Sequence, residues 1–275
     1  MKPHAIFLEI DGTLVFQGQI SKKVQEAISM ARKNGHYVFL CTGRTKLGSQ
    51  NIPSIELDGA VMSAGGYVEV QGNVIHHSWM REKLLQQAMD VFEKYDIPYT
   101  LEADLSTYCD IDSVDHFIRS FQADMNNSEF ERMKQEMTQV LNLQSIDTFK
   151  QSPVPVQTIC FYVQGKEVLE KVKEELSDFT FILHGQSEDL YNCEINRKDA
   201  DKGKGILQVL EYLQIPLERS IGFGDGMNDV SMIQTCARGV AMGNANPLLK
   251  EIADSVCESV QEDGIYHELK RLGII

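Results

Sequence analysis

The stretch Ala5-Ile6-Phe7-Leu8-Glu9-Ile10-Asp11-Gly12-Thr13, at residues 5–13, decides the fold class. Its apolar run predicts a buried strand that ends in acids and a glycine. We expect a helix next, because Ser21 can cap its start and Gly35 is a natural stop. Residues 37–41 then form a second apolar run. Strands that alternate with helices predict a parallel sheet joined by right-handed crossovers.

The middle of the chain follows a different pattern. Between residues 81 and 195, short predicted strands and helices suit an antiparallel sheet with helices on one face, an α+β unit. From Lys202 the alternation of helix and strand returns. We therefore predict an α/β core domain, a doubly wound Rossmann-like parallel sheet, from residues 1–80 and 196–275. An α+β cap domain is inserted at residues 81–195.

Composition narrows the classes of function. The 275 residues include 26 Lys and Arg against 40 Asp and Glu, which gives a net charge of −14. This balance argues against nucleic acid or an anionic membrane as the main partner, since both need a basic face. No stretch approaches the roughly 18 apolar residues of a membrane span. The six cysteines are scattered without a C-x-x-C pair, so we expect reduced thiols and a cytoplasmic protein.

Four polar clusters follow predicted strands of the core domain, at the edge where open parallel sheets bind ligands. They are Glu9-Ile10-Asp11-Gly12-Thr13, Thr42-Gly43-Arg44, Lys202 and Gly224-Asp225-Gly226-Met227-Asn228-Asp229. Each cluster alone is equally well explained as a helix cap, a turn or a solvated side chain. Carboxylates favour Mg²⁺, a hard ion with oxygen ligands. A carboxylate nucleophile can also split phosphoryl transfer into two steps through an acyl phosphate.

In this order the clusters resemble the haloacid dehalogenase-like (HAD) hydrolase superfamily, and more narrowly its Cof-type phosphatases with a large C2 cap. The resemblance covers the whole chain, because it extends to Asp201-Lys202-Gly203, Val240-Ala241-Met242-Gly243-Asn244-Ala245 and Glu262-Asp263-Gly264-Ile265. It implies a Mg²⁺-dependent phosphoric monoester hydrolase. Such an enzyme would act on a small phosphorylated metabolite, with sugar phosphates expected, through a covalent acyl phosphate.

The resemblance also implies roles for individual residues. Glu9 stands at the position of the nucleophile, and Asp11 at that of the general acid and base, whose main-chain carbonyl binds metal. Asp229 would support the waters of the metal or Lys202. The implied sets are Glu9, Asp11 and Lys202 for catalysis, Thr42, Gly43, Arg44, Lys202 and Asn228 for phosphate or substrate, and Glu9, Asp11, Asp225 and Asp229 for metal.

Two positions depart from the family pattern. The nucleophile is Asp in the family, and Glu9 moves the carboxylate by about 1.5 Å, one carbon–carbon bond. A misplacement of roughly 1 Å can cost about 10²-fold in rate. Ala64 stands where relatives commonly have Asn. Three explanations of Glu9 compete. It is a natural nucleophile that works slowly, it marks a protein that has kept binding but lost turnover, or it is an engineered substitution.

These departures keep other classes of function open. A binding or regulatory protein that senses a phosphorylated ligand without turning it over needs the same metal and phosphate ligands. A phosphotransferase shares the first half-reaction and passes the phosphoryl group to an acceptor other than water.

Overall fold

The computed structural model describes residues 2–50, 52–109, 142–187 and 189–275. Within these residues the chain folds into two compact units, each with its own sheet and apolar core. The first unit consists of Met1–Arg44, Asn51–His77 and Ala200–Ile275, and the second of Thr45–Gln50 and Ser78–Asp199. None of the described helices is long and apolar enough to cross a bilayer.

Strands and helices are numbered in chain order over the described residues. The strands are β1 Ala5–Leu8, β2 Tyr37–Cys41, β3 Gly59–Met62, β4 Tyr67–Val70, β5 Asn73–His77, β6 Tyr99–Ala103, β7 Thr107–Cys109, β8 Leu143–Ser145, β9 Val156–Gln164, β10 Phe179–Ser187, β11 Leu190–Arg197, β12 Ser220–Gly224, β13 Arg238–Ala241 and β14 Ser255–Val256. The helices are α1 Lys22–Lys33, α2 Glu82–Lys94, α3 Ile146–Gln151, α4 Lys166–Glu175, α5 Lys202–Leu213, α6 Val230–Thr235, α7 Pro247–Ile252 and α8 Gly264–Arg271.

The sheet of the first unit has the strand order β14-β13-β12-β1-β2-β3-β4-β5. Neighbours from β14 to β3 pair in parallel, and β3, β4 and β5 pair antiparallel at one edge. Side chains of β1 alternate between two cores: Ile6 and Leu8 pack with α1 and α8, whereas Ala5 and Phe7 pack with α5. Helices therefore cover both faces, which confirms the predicted doubly wound α/β class.

Helix α1 shows how the sequence sets a boundary. The Ser21 hydroxyl oxygen accepts a hydrogen bond from the Val24 N–H at 3.2 Å and caps the helix, as predicted. The buried side chains lie on one face of the helix (Val24, Ala27, Ile28 and Ala31). Gly35 follows the helix with φ +86°, a conformation that glycine adopts without strain.

In the described part of the second unit, six strands form a sheet with the order β10-β11-β9-β6-β7-β8. Its pairs are antiparallel except for β7 and β8. Helices α2 and α4 supply Phe92 and Leu169 to an apolar core that also contains Phe161 of β9. The predicted α+β character of this part of the chain is confirmed.

Candidate active site

The loops that follow three neighbouring parallel strands carry the predicted site residues. Glu9 comes directly after β1, Thr42-Gly43-Arg44 after β2, and Asp225 after β12, while Lys202 opens α5. Because β12, β1 and β2 are adjacent and parallel, their carboxyl ends lie side by side. The first unit alone therefore brings these residues together.

A buried group of three charges forms the centre of the site. The Lys202 ammonium donates hydrogen bonds to Glu9 Oε2 and, at 2.5 Å, to Asp229 Oδ1. The three residues are only 1%, 5% and 0% exposed, respectively. Desolvation of a charge is costly, so each charge in this group depends on its neighbours. One lysine serves two carboxylates, which leaves the group with an excess of negative charge.

Burial and charge act in opposite directions on these groups. Burial raises the pKa of Glu9, the negative charge of Asp229 adds to the rise, and Lys202 opposes it. Burial alone would lower the pKa of Lys202, but Asp229 and Glu9 outweigh it and raise that pKa. Lys202 therefore stays a fixed cation at neutral pH.

Glu9 is also held by its own strand end. Its Oε1 accepts a hydrogen bond from the Ile10 N–H at 2.6 Å, and the Thr42 hydroxyl makes a further side-chain hydrogen bond with it. Thr42 Oγ1 accepts from the Arg44 N–H at 3.2 Å. The Gly43 N–H donates to no acceptor among the described residues. This turn thus presents a free amide beside the Glu9 carboxylate, as an anion-binding site requires.

Asp229 uses both of its oxygens inside the protein. Oδ1 accepts from Lys202, and Oδ2 accepts from the N–H groups of Asp225 and Gly226, each at 2.9 Å. The side chain of Asn228 lies against the same turn, because a Cβ atom added to Gly226 would overlap Asn228 Oδ1. These contacts favour a role for Asp229 in holding the lysine and the loop over direct metal ligation.

Asp11 and Arg44 form a separate pair. Arg44 Nη2 and Nε donate to Asp11 Oδ1 and Oδ2 at 2.6 and 2.8 Å, and the side chains are 36% and 61% exposed. Such bidentate pairs are geometrically specific, but exposure makes them weak. The Asp11 side chain is therefore directed to Arg44 and not to the buried charge group.

Asp225 presents an open oxygen. Its Oδ1 accepts from the Thr13 hydroxyl at 2.8 Å, and burial raises its pKa to about 6. No described residue donates a hydrogen bond to its Oδ2 or to the main-chain carbonyl of Asp11. Among the described residues, no three His, Cys, Asp or Glu side chains already surround one point as metal ligands do. The donors present are hard oxygens in an acidic surrounding, so their chemistry fits Mg²⁺.

One residue of the site, Thr13, was missed by the sequence argument. Thr13 was quoted with the first cluster but received no role, although it orients Asp225. In the turn Ser63-Ala64-Gly65 all three residues have positive φ, at 49°, 51° and 94°. The Ala64 N–H donates to the Thr42 carbonyl at 3.1 Å, which ties this strained turn to the site. The sequence identified Ala64 as a departure from the family pattern, but it did not indicate the conformation of this turn.

Comparison with known proteins shows the family of the chain. The profile of the haloacid dehalogenase-like hydrolases matches residues 6–269. The chain belongs to this family. Phosphatase YwpJ of Bacillus subtilis (strain 168) is 27% identical to it over 287 residues, which cover 97% of the chain and 99% of YwpJ. The 5-amino-6-(5-phospho-D-ribitylamino)uracil phosphatase YitU of the same organism is 26% identical, with 98% and 97% covered.

A solved structure extends the agreement to the whole fold. The HAD subclass IIB sugar phosphatase BT4131 superposes with a TM-score of 0.76 at 26% identity, and the match covers 99% of this chain and 100% of BT4131. The predicted Cof-type membership is confirmed, and the subclass is IIB. This HAD family member is accordingly a phosphoric monoester hydrolase of small phosphomonoesters.

Proposed function

We propose that this HAD phosphatase depends on Mg²⁺, hydrolyses sugar phosphates and uses Glu9 as its nucleophile. The observation that carries the proposal is the Lys202 ammonium buried between Glu9 and Asp229. A fixed cation beside an anionic nucleophile is what phosphoryl transfer needs, because charge on the phosphate oxygens must be offset as the nucleophile approaches.

The relatives support the class of substrate. BT4131 is a sugar phosphatase, and YitU acts on a compound that carries a phosphorylated ribityl chain. Both substrates join a phosphate to a polyhydroxylated carbon chain. A phosphorylated sugar or sugar alcohol is therefore the substrate that we expect here.

The residues divide the reaction into two steps. A Glu9 oxygen attacks phosphorus, the bond to the ester oxygen breaks, and the leaving oxygen takes a proton from Asp11. In the second step Asp11 takes a proton from water, the water oxygen attacks phosphorus, and Glu9 is released with inorganic phosphate. Lys202, Thr42 and the Gly43 amide hold the phosphate oxygens. Asp11 must leave Arg44 for either transfer, and Arg44 remains our candidate for a further phosphate contact.

The metal would be held by the oxygens that the site leaves open. Glu9 and Asp225 would supply carboxylates and Asp11 its main-chain carbonyl, with Asp229 in the supporting role. When bound, Mg²⁺ supplies positive charge close to the transferring phosphoryl group.

One observation favours a second function, ligand binding without turnover. Both Glu9 oxygens already accept hydrogen bonds, from Ile10 and from Lys202. Glu9 also has one methylene more than the aspartate of its family, so its carboxylate must fold back to make these contacts. A nucleophile held in this way has to give up a hydrogen bond before it can attack.

The deciding experiment measures phosphate release with Mg²⁺ from a panel of sugar phosphates and an aryl phosphate. Native chain, Glu9→Asp, Glu9→Gln and Asp225→Asn are compared. We expect turnover by the native chain, loss of it in Glu9→Gln and Asp225→Asn, and an increase of about 10²-fold or less in Glu9→Asp. Activity in Glu9→Asp alone would establish the binding protein instead. Undiminished activity in Glu9→Gln would remove Glu9 from the nucleophile position.

A further inference from the structure

The motif at residues 240–245 has no role in the reaction described so far, yet one of its side chains contacts the catalytic loop. Asn244 Nδ2 donates to the carbonyl of Gly12 at 2.8 Å, and Asn244 Oδ1 accepts from the Val260 N–H at 2.9 Å. The amide of Asn244 thus bridges the loop after β1 to the segment that precedes α8.

The contacted carbonyl lies at the centre of the site's first loop. Gly12 separates Asp11 from Thr13, and Thr13 holds Asp225. Gly12 has a φ of +71° and no side chain, so its backbone can lie against Asp225. A Cβ atom at this position would overlap Asp225 Oδ2. Glycine peptides rotate more easily than others, so the direction of the Gly12 carbonyl needs an external partner.

The backbone that carries Asn244 is itself held from several sides. The Gly243 N–H donates to the Glu258 carbonyl at 3.1 Å, and Lys250 Nζ donates to the Gly243 carbonyl at 2.5 Å. A Cβ on Gly243 would lie 2.6 Å from the Ser259 nitrogen, so the two segments are in close contact. The short 3₁₀ turn that begins at Val260 is fixed by a capping box between Ser259 and Glu262.

We propose that Asn244 is a positioning residue for phosphoryl transfer, acting through the Gly12 carbonyl and braced by the Val260 amide. It fixes the peptide that joins Gly12 to Thr13, and thereby the placement of the neighbouring catalytic acid and of Asp225. The expected effect on kcat rests on the proposed function, whereas the expected effect on the order of the loop rests on the structure alone.

The kinetic test compares two asparagines of the same loop. Asn244→Ala removes both bonds, and we expect kcat to fall about 10-fold while KM changes less than about threefold, because a loop that moves by a fraction of an ångström misplaces the reacting groups. Asn246→Ala is the matched control. Asn246 is exposed like Asn244, and its side chain caps α7 through the Leu248 N–H. Its main-chain N–H donates to the Asp225 carbonyl at 2.8 Å, and the alanine variant keeps that N–H. It should keep native kcat.

A second variant leaves Asn244 in place and removes its brace. Val260→Pro deletes the N–H donor at the first position of its turn, where proline is tolerated, and Ser259 already has the extended conformation that precedes proline. We expect kcat to fall about threefold. In the double variant with Asn244→Ala the loss should equal that of Asn244→Ala alone, since both changes act through one chain of hydrogen bonds. A kcat loss in the double variant equal to the product of the two single losses would overturn the proposal.

Hydrogen exchange supplies a readout that does not require turnover. The Gly12 N–H donates to the Val15 carbonyl at 3.1 Å, so its exchange reports the order of the loop. Exchange in residues 11–15 should be about 10-fold faster in Asn244→Ala than in native chain or Asn246→Ala. If the native chain is inactive but Asn244→Ala still shows this faster exchange, the phosphatase proposal is wrong and the role of Asn244 in ordering the loop is supported. Native exchange and native kcat in Asn244→Ala would refute the positioning role.

Discussion

Replacement of Asp229 by Asn tests whether the buried charge group holds the site together. Asp229 is fully buried, and its two oxygens face different donors: Lys202 on one side, and the N–H groups of Asp225 and Gly226 on the other. An amide has one oxygen and one NH₂ group. In either orientation, the NH₂ group that Asp229→Asn introduces faces a hydrogen-bond donor, either Lys202 or the two N–H groups. The substitution also removes one of the two negative charges beside Lys202.

The size of the loss follows from these contacts. Removal of one partner from a buried ion pair costs about 3–5 kcal/mol, and Lys202 keeps Glu9 as its second partner. We therefore expect the low end, about 3 kcal/mol. At roughly 2–4 °C per kcal/mol for domains of this size, the thermal midpoint of the first unit should fall by about 6–12 °C.

The assay is thermal unfolding of native and variant chains in EDTA, so that no bound cation contributes to stability. Asp225→Asn is the matched control, because it removes the same charge four positions away. Its amide oxygen can still accept from Thr13, so we expect a change within about 1 kcal/mol. A midpoint for Asp229→Asn within 2 °C of native, or a larger shift in the control, would contradict this account of the charge group.

Two further predictions concern stability elsewhere in the first unit. Gly65 and Gly72 both have positive φ, but a Cβ would overlap the Asp201 carbonyl oxygen at Gly65 and meets nothing within 4 Å at Gly72. Urea unfolding should show Gly65→Ala about 2 kcal/mol less stable than Gly72→Ala, and equal losses would contradict the overlap. Burial lowers the pKa of His4 and of His36, whose Nδ1 accepts the His4 N–H at 3.0 Å. Their lowered pKa lets the unfolded chain bind more protons at these histidines as the pH drops below about 6.5, whereas the raised pKa values of Glu9 and Asp225 act in the opposite direction in both chains. The stability of the native chain should therefore fall relative to that of His36→Gln as the pH is lowered from about 7 to about 5, and a stability difference that does not change with pH would refute this.

The location of the site could be predicted from the sequence because it depends on topology. Strands that alternate with helices form a parallel sheet, and the polar clusters after β1, β2 and β12 must then meet at one edge. Helix α1 was predictable for a local reason, since its cap, its buried face and its end all lie within 15 residues (Ser21 to Gly35).

The pairing of charges could not be predicted in the same way. Lys202, Arg44 and several acids lie at one edge, and which of them pair depends on distances of an ångström or less. The sequence left the partner of the Asp11 side chain undefined, and in the structure that partner is Arg44. A 3₁₀ turn over Met227–Asp229 precedes α6, which begins at Val230. The cause is the Asp229 carboxylate, which draws the preceding amides toward itself.

The strand order of the first unit has a consequence for the order in which the protein is made. β1 lies at the centre of its sheet and pairs on one side with β12, Ala5 opposite Ser220. The apolar core of the second unit, by contrast, comes from residues between Met80 and Ile195. On the ribosome, the second unit can therefore complete its core before β12 has been synthesised to pair with β1. We expect ribosome-bound chains that end before Ser220 to expose β1 as an open edge, the kind of surface that chaperones bind.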